Sequence, residues 1–171
     1  MGKDYPIIKD SYQTVFSPQT AYQMTSILEG VVKRGTAKKI KDLKLNIAGK
    51  TGTTNNNTDT WFIGFTSNLL IGVYVGSDNP VSLGKYETGS KTALPIFKEF
   101  IKKVVKKSEA RPFKAAKGTV MMVVDPITGQ KAKFTSKNTI IEVYKKENVI
   151  NGEVLYSNND RLDTNNILKF Y

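Results

Sequence analysis

Apolar residues recur at helical spacing early in the chain, where Ala21, Met24, Leu28 and Val31 follow one another in steps of three and four. Ser17-Pro18 in front of them reads as an N-cap followed by proline in the first helical position, and Arg34-Gly35 reads as the stop. The pattern predicts an amphipathic helix from about Pro18 to Lys33, with Met24 as a core filler. Residues 38–44 form a charged connector, and residues 45–53 a short strand with a polar end. Residues 60–66 and 69–76 are rich in aromatic and β-branched side chains and flank Ser67-Asn68, the signature of an antiparallel hairpin. Together with the preceding strand they predict three adjacent strands. Gly64 and Gly72 inside the hairpin mark either close approach of a neighbouring element or weak points. Residues 77–89 carry turn formers throughout, and Pro95 opens a second helix to about Lys107. Phe97, Phe100, Ile101, Val104 and Val105 supply its expected buried stripe, with lysines opposite.

From Arg111-Pro112 the pattern changes. Gly118 leads into a strand-like run at 119–124, the turn Asp125-Pro126-Ile127-Thr128-Gly129 and a second β-rich run at 139–144. Beyond Lys145 the chain is polar and Asn-rich, which predicts a loosely ordered tail. The fold class expected is α+β, an antiparallel sheet with helices covering one face, followed by a small C-terminal β appendage. The division falls at 1–110 and 111–171.

Composition narrows the chemistry. A chain of 171 residues is long enough for one core and a small appendage. A hydrophobic fraction of 39% and an aromatic fraction of 10% suit a folded globule. No window approaches the roughly 20 apolar residues that cross a bilayer, and Met1-Gly2-Lys3-Asp4 does not begin a signal peptide. With no histidine and no cysteine, a Ser-His-Asp triad, a cysteine nucleophile and a His/Cys zinc site are all excluded within these residues. Proton transfer would fall to Lys, Asp, Glu or Tyr, as in lysine-assisted serine enzymes. The net charge of +11 attracts anions, but much of it sits at Lys98, Lys102, Lys103, Lys106, Lys107, Arg111, Lys114 and Lys117. That cluster reads as a solvated helix face with a basic last turn that complements the helix dipole.

The run Ala48-Gly49-Lys50-Thr51-Gly52-Thr53-Thr54 is the most informative stretch. Gly49-Lys50-Thr51 copies the end of a phosphate-binding Walker A loop, but that loop needs glycine at position 44, which is Lys44, and it opens a helix. Here the motif runs into the polar loop Asn55 to Thr58 and the apolar segment Trp61-Phe62-Ile63-Gly64-Phe65.

This run resembles the KTG box of serine acyl-transfer enzymes that bind penicillin. The resemblance to class A penicillin-binding proteins extends through Ser17-Pro18-Gln19-Thr20-Ala21-Tyr22-Gln23-Met24, Gly35-Thr36-Ala37, Asp59-Thr60-Trp61-Phe62, Val75-Gly76-Ser77-Asp78-Asn79 and Glu87-Thr88-Gly89. It continues more weakly through Ala93-Leu94-Pro95-Ile96-Phe97 and the Asp125 to Gly129 turn, covering about two thirds of the chain. It implies a D,D-transpeptidase that cross-links peptidoglycan through an acyl-serine intermediate, without metal or organic cofactor. Its substrates would be peptide stems ending in D-Ala, and β-lactams as their mimics. By the same resemblance the Thr53 backbone N–H is an oxyanion donor, Lys50 supplies fixed positive charge, and Gly52 lets substrate approach the backbone. The hydroxyls of Thr51 and Thr53 would hydrogen-bond a substrate carboxylate. A glycosyltransferase domain and a membrane anchor are expected outside this chain, with these residues on the periplasmic face of the inner membrane.

In that family the nucleophilic serine and an S-x-N box precede KTG by more residues than stand before Lys50, so the chain alone is expected to be inactive. Ser82-Leu83-Gly84-Lys85 and Ser157-Asn158-Asn159 match these patterns in letters only, since the first follows KTG and contains a glycine and the second lies in the expected tail. Lys91-Thr92-Ala93 echoes KTG but leads into a helix. Asp59 could orient a lysine but reads as a turn or cap residue, and Trp61, Phe62 and Phe65 could border a substrate groove but read as core, with no functional role assigned. Two alternatives remain: a non-catalytic module that binds anionic cell-wall polymer or membrane through its lysines, and a related carboxypeptidase or β-lactamase. No nucleic-acid partner is expected. Unpaired sheet edges and uncovered apolar faces predict that the isolated chain self-associates, exchanges elements or is marginally stable.

Overall fold

The computed structural model describes residues 13–79, 81–106, 110–133, 135–149 and 156–157. Helix α1 spans Pro18–Lys33 and starts where the sequence places it: the Ser17 hydroxyl accepts the Thr20 N–H at 3.2 Å, satisfying an otherwise orphaned donor. It ends at Arg34, whose N–H returns to the carbonyls of Gly30 and Val31. The connector is not merely charged. Lys38–Leu43 forms a 3₁₀ helix, and its Ile40 and Leu43 are buried between the lysines.

Strands β1 (Ala48–Thr53), β2 (Thr60–Phe65) and β3 (Leu70–Val75) form an antiparallel sheet in that order. The register pairs Lys50 with Ile63 and Gly52 with Trp61, and then Ile63 with Gly72 and Trp61 with Tyr74. Strand β1 begins three residues later than expected, because Leu45 and Ile47 are spent packing against the core rather than pairing. Helix α2 (Ala93–Val104) covers the face that carries Phe62. Phe62 and Phe97 are both 0% exposed and meet edge-on with centroids 4.7 Å apart. Burial of each ring contributes roughly 2–3 kcal/mol. Gly64 makes this contact possible: a Cβ there would lie 2.6 Å from Phe62 Cε1 and 2.7 Å from Phe97 Cζ. Gly72 faces open space.

Several core assignments change. Met24 is 50% exposed, because the helix turns Gly30 and Val32 inward instead. On α2, Phe100 and Val104 stay half-exposed; only Ala93, Leu94, Phe97 and Ile101 reach the interior. The opposite sheet face carries Trp61, Ile63, Leu70 and Tyr74, all substantially exposed, while Phe65 packs edge-on against Phe113. Trp61 and Phe65 are therefore not in the core, since α2 covers the other side of the sheet.

A second antiparallel sheet follows, with β4 (Thr119–Val124) between β5 (Ile140–Lys145) and the two-residue β6 (Tyr156–Ser157). Val120, Met122 and Val124 form its separate core with Ile140, Tyr144 and Val149. Part of the expected tail is therefore ordered: Lys146–Asn148 makes a 3₁₀ turn and β6 pairs with β4. Residues 158–171, the N-terminal residues 1–12 and Lys107 lie outside the described residues. Among the described residues no helix is long and apolar enough to cross a membrane, and no His/Cys/Asp/Glu cluster could hold a metal ion.

Candidate functional site

The phase of the β1 ladder decides which backbone groups are available. The Thr54 N–H donates to Asp59 O at 3.0 Å, which continues the β1–β2 register and makes the pairs containing Gly52 and Lys50 the hydrogen-bonded ones. The Thr66 N–H to Leu69 O bond, at 2.8 Å, sets the β2–β3 phase consistently, because it directs Thr60, Phe62 and Gly64 towards β3 and leaves Trp61 and Ile63 for β1. It follows that the peptide groups of Gly49, Thr51 and Thr53 point away from β2. They face an edge that no strand among the described residues occupies. An N–H held on a rigid strand in this way can stabilise charge developing on an incoming oxygen.

The side chains of the box are arranged around that edge. Lys50 is exposed, and its Nζ donates to Thr51 O at 2.9 Å and to Thr51 Oγ1 at 3.3 Å, so the ammonium lies beside the outward-facing carbonyl. The Thr51 hydroxyl is also 3.0 Å from the Thr36 hydroxyl. Thr53 differs. Its Oγ1 accepts the Gly89 N–H at 3.2 Å, which leaves the hydroxyl proton uncommitted among the described residues. Gly52 is half-buried, with the Trp61 Cβ beneath it.

The segment Glu87-Thr88-Gly89 braces this strand, a role that sequence reasoning did not assign to it. A Cβ at Gly89 would collide with the carbonyl oxygens of Trp61 and Gly52, so only glycine lets the loop lie this close. The Thr88 carbonyl accepts from the Lys91 and Thr92 N–H groups, and the Leu94 N–H donates to Gly89 O, which ties the brace to the start of α2. Beneath it the Thr60 and Thr92 hydroxyls meet at 2.6 Å, with Thr60 fully buried. The signal was present in the sequence as a glycine followed closely by helix-capping residues.

Asp59 orients no lysine among the described residues. Its carboxylate accepts from Tyr74 Oη at 2.7 Å and from the Thr58 and Thr54 hydroxyls at 2.9 and 3.3 Å. The Tyr74 bond chiefly, and then the Thr58 bond, hold its carboxyl below the usual aspartate range, while the same contact pushes the Tyr74 phenol up. Asp59 thus closes the loop after the box and supports the tilted Trp61–Tyr74 pair, whose centroids are 4.8 Å apart. Ser82 and Lys85 lie in a loop held by Asn57, which donates to the Gly84 and Lys85 carbonyls. Neither stands at the start of a helix. Of the lysines clustered on α2, Lys98 donates to Asp42 and to the Lys39 carbonyl, and Lys102 to Glu99.

A family model described as the penicillin binding protein transpeptidase domain matches residues 8–102, which contain β1 and the Glu87-Thr88-Gly89 brace. The chain belongs to the penicillin-binding protein transpeptidase family. Penicillin-binding protein 1A of Rickettsia conorii is 41% identical over 159 residues, which is 92% of this chain and 20% of that protein. Penicillin-binding protein 1A of Pseudomonas aeruginosa is 38% identical over 145 residues, covering 79% of this chain and 18% of its own length. The crystal structure of penicillin-binding protein 1A from Haemophilus influenzae superposes with a TM-score of 0.65 and 29% identity, over 75% of this chain and 20% of that one. The chain thus spans about a fifth of the length of the curated relatives it matches. The α+β fold with its antiparallel sheet is the one found in that transpeptidase neighbour.

Proposed function

We propose that these residues supply the KTG strand of a serine D,D-transpeptidase that cross-links peptidoglycan stem peptides and is acylated by β-lactams. The observation that carries this reading is the outward phase of Thr53 on β1, which aims its N–H at the edge that no strand among the described residues occupies, beside the Lys50 ammonium. In this reading the Thr53 N–H stabilises the oxyanion of the tetrahedral intermediate, a contribution worth about 3 kcal/mol of barrier. Lys50 holds positive charge beside the same edge, and the free Thr53 hydroxyl proton donates to the substrate carboxylate. Thr51 and Gly52 line the approach, Thr51 with its hydroxyl shared between Lys50 and Thr36.

The attacking serine would come from residues outside this chain, as would a glycosyltransferase domain and a membrane anchor, with the strand on the periplasmic face. No metal or organic cofactor enters this chemistry. The exposed Trp61, Ile63, Leu70 and Tyr74 support self-association of the chain in isolation. The test is labelling by a fluorescent penicillin of this chain beside a polypeptide that also contains the preceding transpeptidase residues. The longer protein is expected to be acylated and the shorter one not, and an unlabelled longer protein that is folded would overturn the reading.

A further inference from the structure

Helix α1 carries Gln19, Gln23 and Gly30 on one face, spaced by four and seven residues, with Arg34 four residues further on at its cap. That face meets the second sheet. Gln19 Nε2 donates to Lys117 O at 3.0 Å, Gln23 Nε2 donates to Val143 O at 3.2 Å, and the Arg34 guanidinium pairs with Glu142 on β5. Gly30 leaves room for that guanidinium, since a Cβ there would lie 2.8 Å from Arg34 Cζ. Just beyond the helix, the Gly35 and Ala37 N–H groups both return to Val31 O at 3.1 Å, and Ala37 is fully buried. Residues 34–37 are therefore folded tightly onto the last turn of α1. This turn holds the Thr36 hydroxyl against Thr51 of the KTG strand, and Thr51 in turn holds the Lys50 ammonium.

We propose that Glu142, Arg34 and Thr36 are positioning residues for the Lys50–Thr53 strand: the second sheet fixes the end of α1 and, through Thr36, the side chains of Thr51 and Lys50. The proposal rests on the acyl-transfer reading for its consequence but on the hydrogen-bond path for its structure. An ion pair with no reach beyond the surface would leave the box unchanged. A positioning pair transmits its loss to Thr51, even though Arg34 and Glu142 touch no residue of the box.

Two measurements test it. In ¹⁵N-resolved spectra of this chain, Glu142→Gln and Thr36→Val are expected to move the Thr51 and Gly52 amide signals while Gly72 stays in place; Arg34→Lys, which keeps charge but loses the guanidinium fork, should move them less. Exchanging the pair, with Arg34→Glu and Glu142→Arg together, should return the signals towards their original positions. In the longer transpeptidase, Glu142→Gln should slow acylation by a fluorescent penicillin roughly 5- to 50-fold. The loss should appear in the saturating rate more than in the half-saturating concentration. Combining Glu142→Gln with Thr36→Val should be no slower than Thr36→Val alone, because both act through one path. Signals that move only in β4 and β5, or losses that multiply, overturn the proposal. Spectral coupling in a longer protein that penicillin never labels would retain the positioning and overturn the acyl-transfer reading instead.

Discussion

The β1–β2–β3 sheet buries Phe62 completely between its inner face and α2, whereas the β5–β4–β6 sheet closes over Val120, Met122 and Val124 with the Tyr144 ring only half-buried against them. The first sheet is fixed by interlocking aromatic rings, and its strand ends can hold a precise backbone edge. The second is small, and it is held to α1 through side chains that reach carbonyls and through the Arg34–Glu142 ion pair. Rigidity at the KTG edge is thus provided chiefly by the aromatic interior, with the second sheet adding control over one end of α1.

The largest effect expected from this contrast is on stability. Phe62→Ala removes a fully enclosed ring and should cost about 3–5 kcal/mol, against about 2 kcal/mol for Met122→Ala in the smaller core. Urea denaturation measures both. Native-state hydrogen exchange should show Met122→Ala opening β4 and β5 selectively, while Phe62→Ala weakens protection throughout. Equal losses, or identical exchange patterns, would mean that the two sheets form one cooperative unit.

A finer contrast lies within the first sheet. Gly64→Ala drives a methyl into the Phe62 and Phe97 rings and should cost about 1–3 kcal/mol by overpacking. Gly72→Ala, with nothing within 4 Å of the new Cβ, should be neutral or slightly stabilising because it restricts the unfolded chain. The same denaturation curves decide this, and a costly Gly72→Ala would show that the outer face is covered in solution, as self-association of the chain would cover it.

Much of the fold was legible in the sequence because its signals are local. Ser17-Pro18 fixes the start of α1 by capping chemistry, and the Ser67-Asn68 turn between two β-rich runs fixes the hairpin. The runs of letters around Lys50 identified the family before any contact was known. What escaped was tertiary. Met24, Phe100 and Val104 obey helical spacing as well as Val32 and Phe97 do, and only the placement of the neighbouring helix and sheet decides which stripe is enclosed. The lysine-rich connector hid two buried residues, Ile40 and Leu43, because a 3₁₀ turn lacks the period used to recognise an α-helix. Thr36 and Gly89 were visible as letters, but their contacts with Thr51 and Thr53 span 15 and 36 residues, beyond any pattern window.

The smallest effect concerns α1, the element that belongs to both regions. Glu29 is mostly enclosed, and burial raises its carboxyl above 4.5, a shift that its partner Lys33 opposes at 3.4 Å without cancelling. A carboxyl raised in the folded state contributes stability below its unfolded value and loses that contribution as pH rises through the folded value. Relative to the native chain, Glu29→Gln should therefore gain stability as pH climbs above 4.5 and keep the gain at neutrality, with a rise in melting temperature of about 1–3 °C at pH 7. Thermal melts at pH 4 and pH 7 measure the difference. A gap that stays constant between the two would mean that Glu29 is solvated, and that the helix joining the two sheets is packed more loosely than the contacts along its length require.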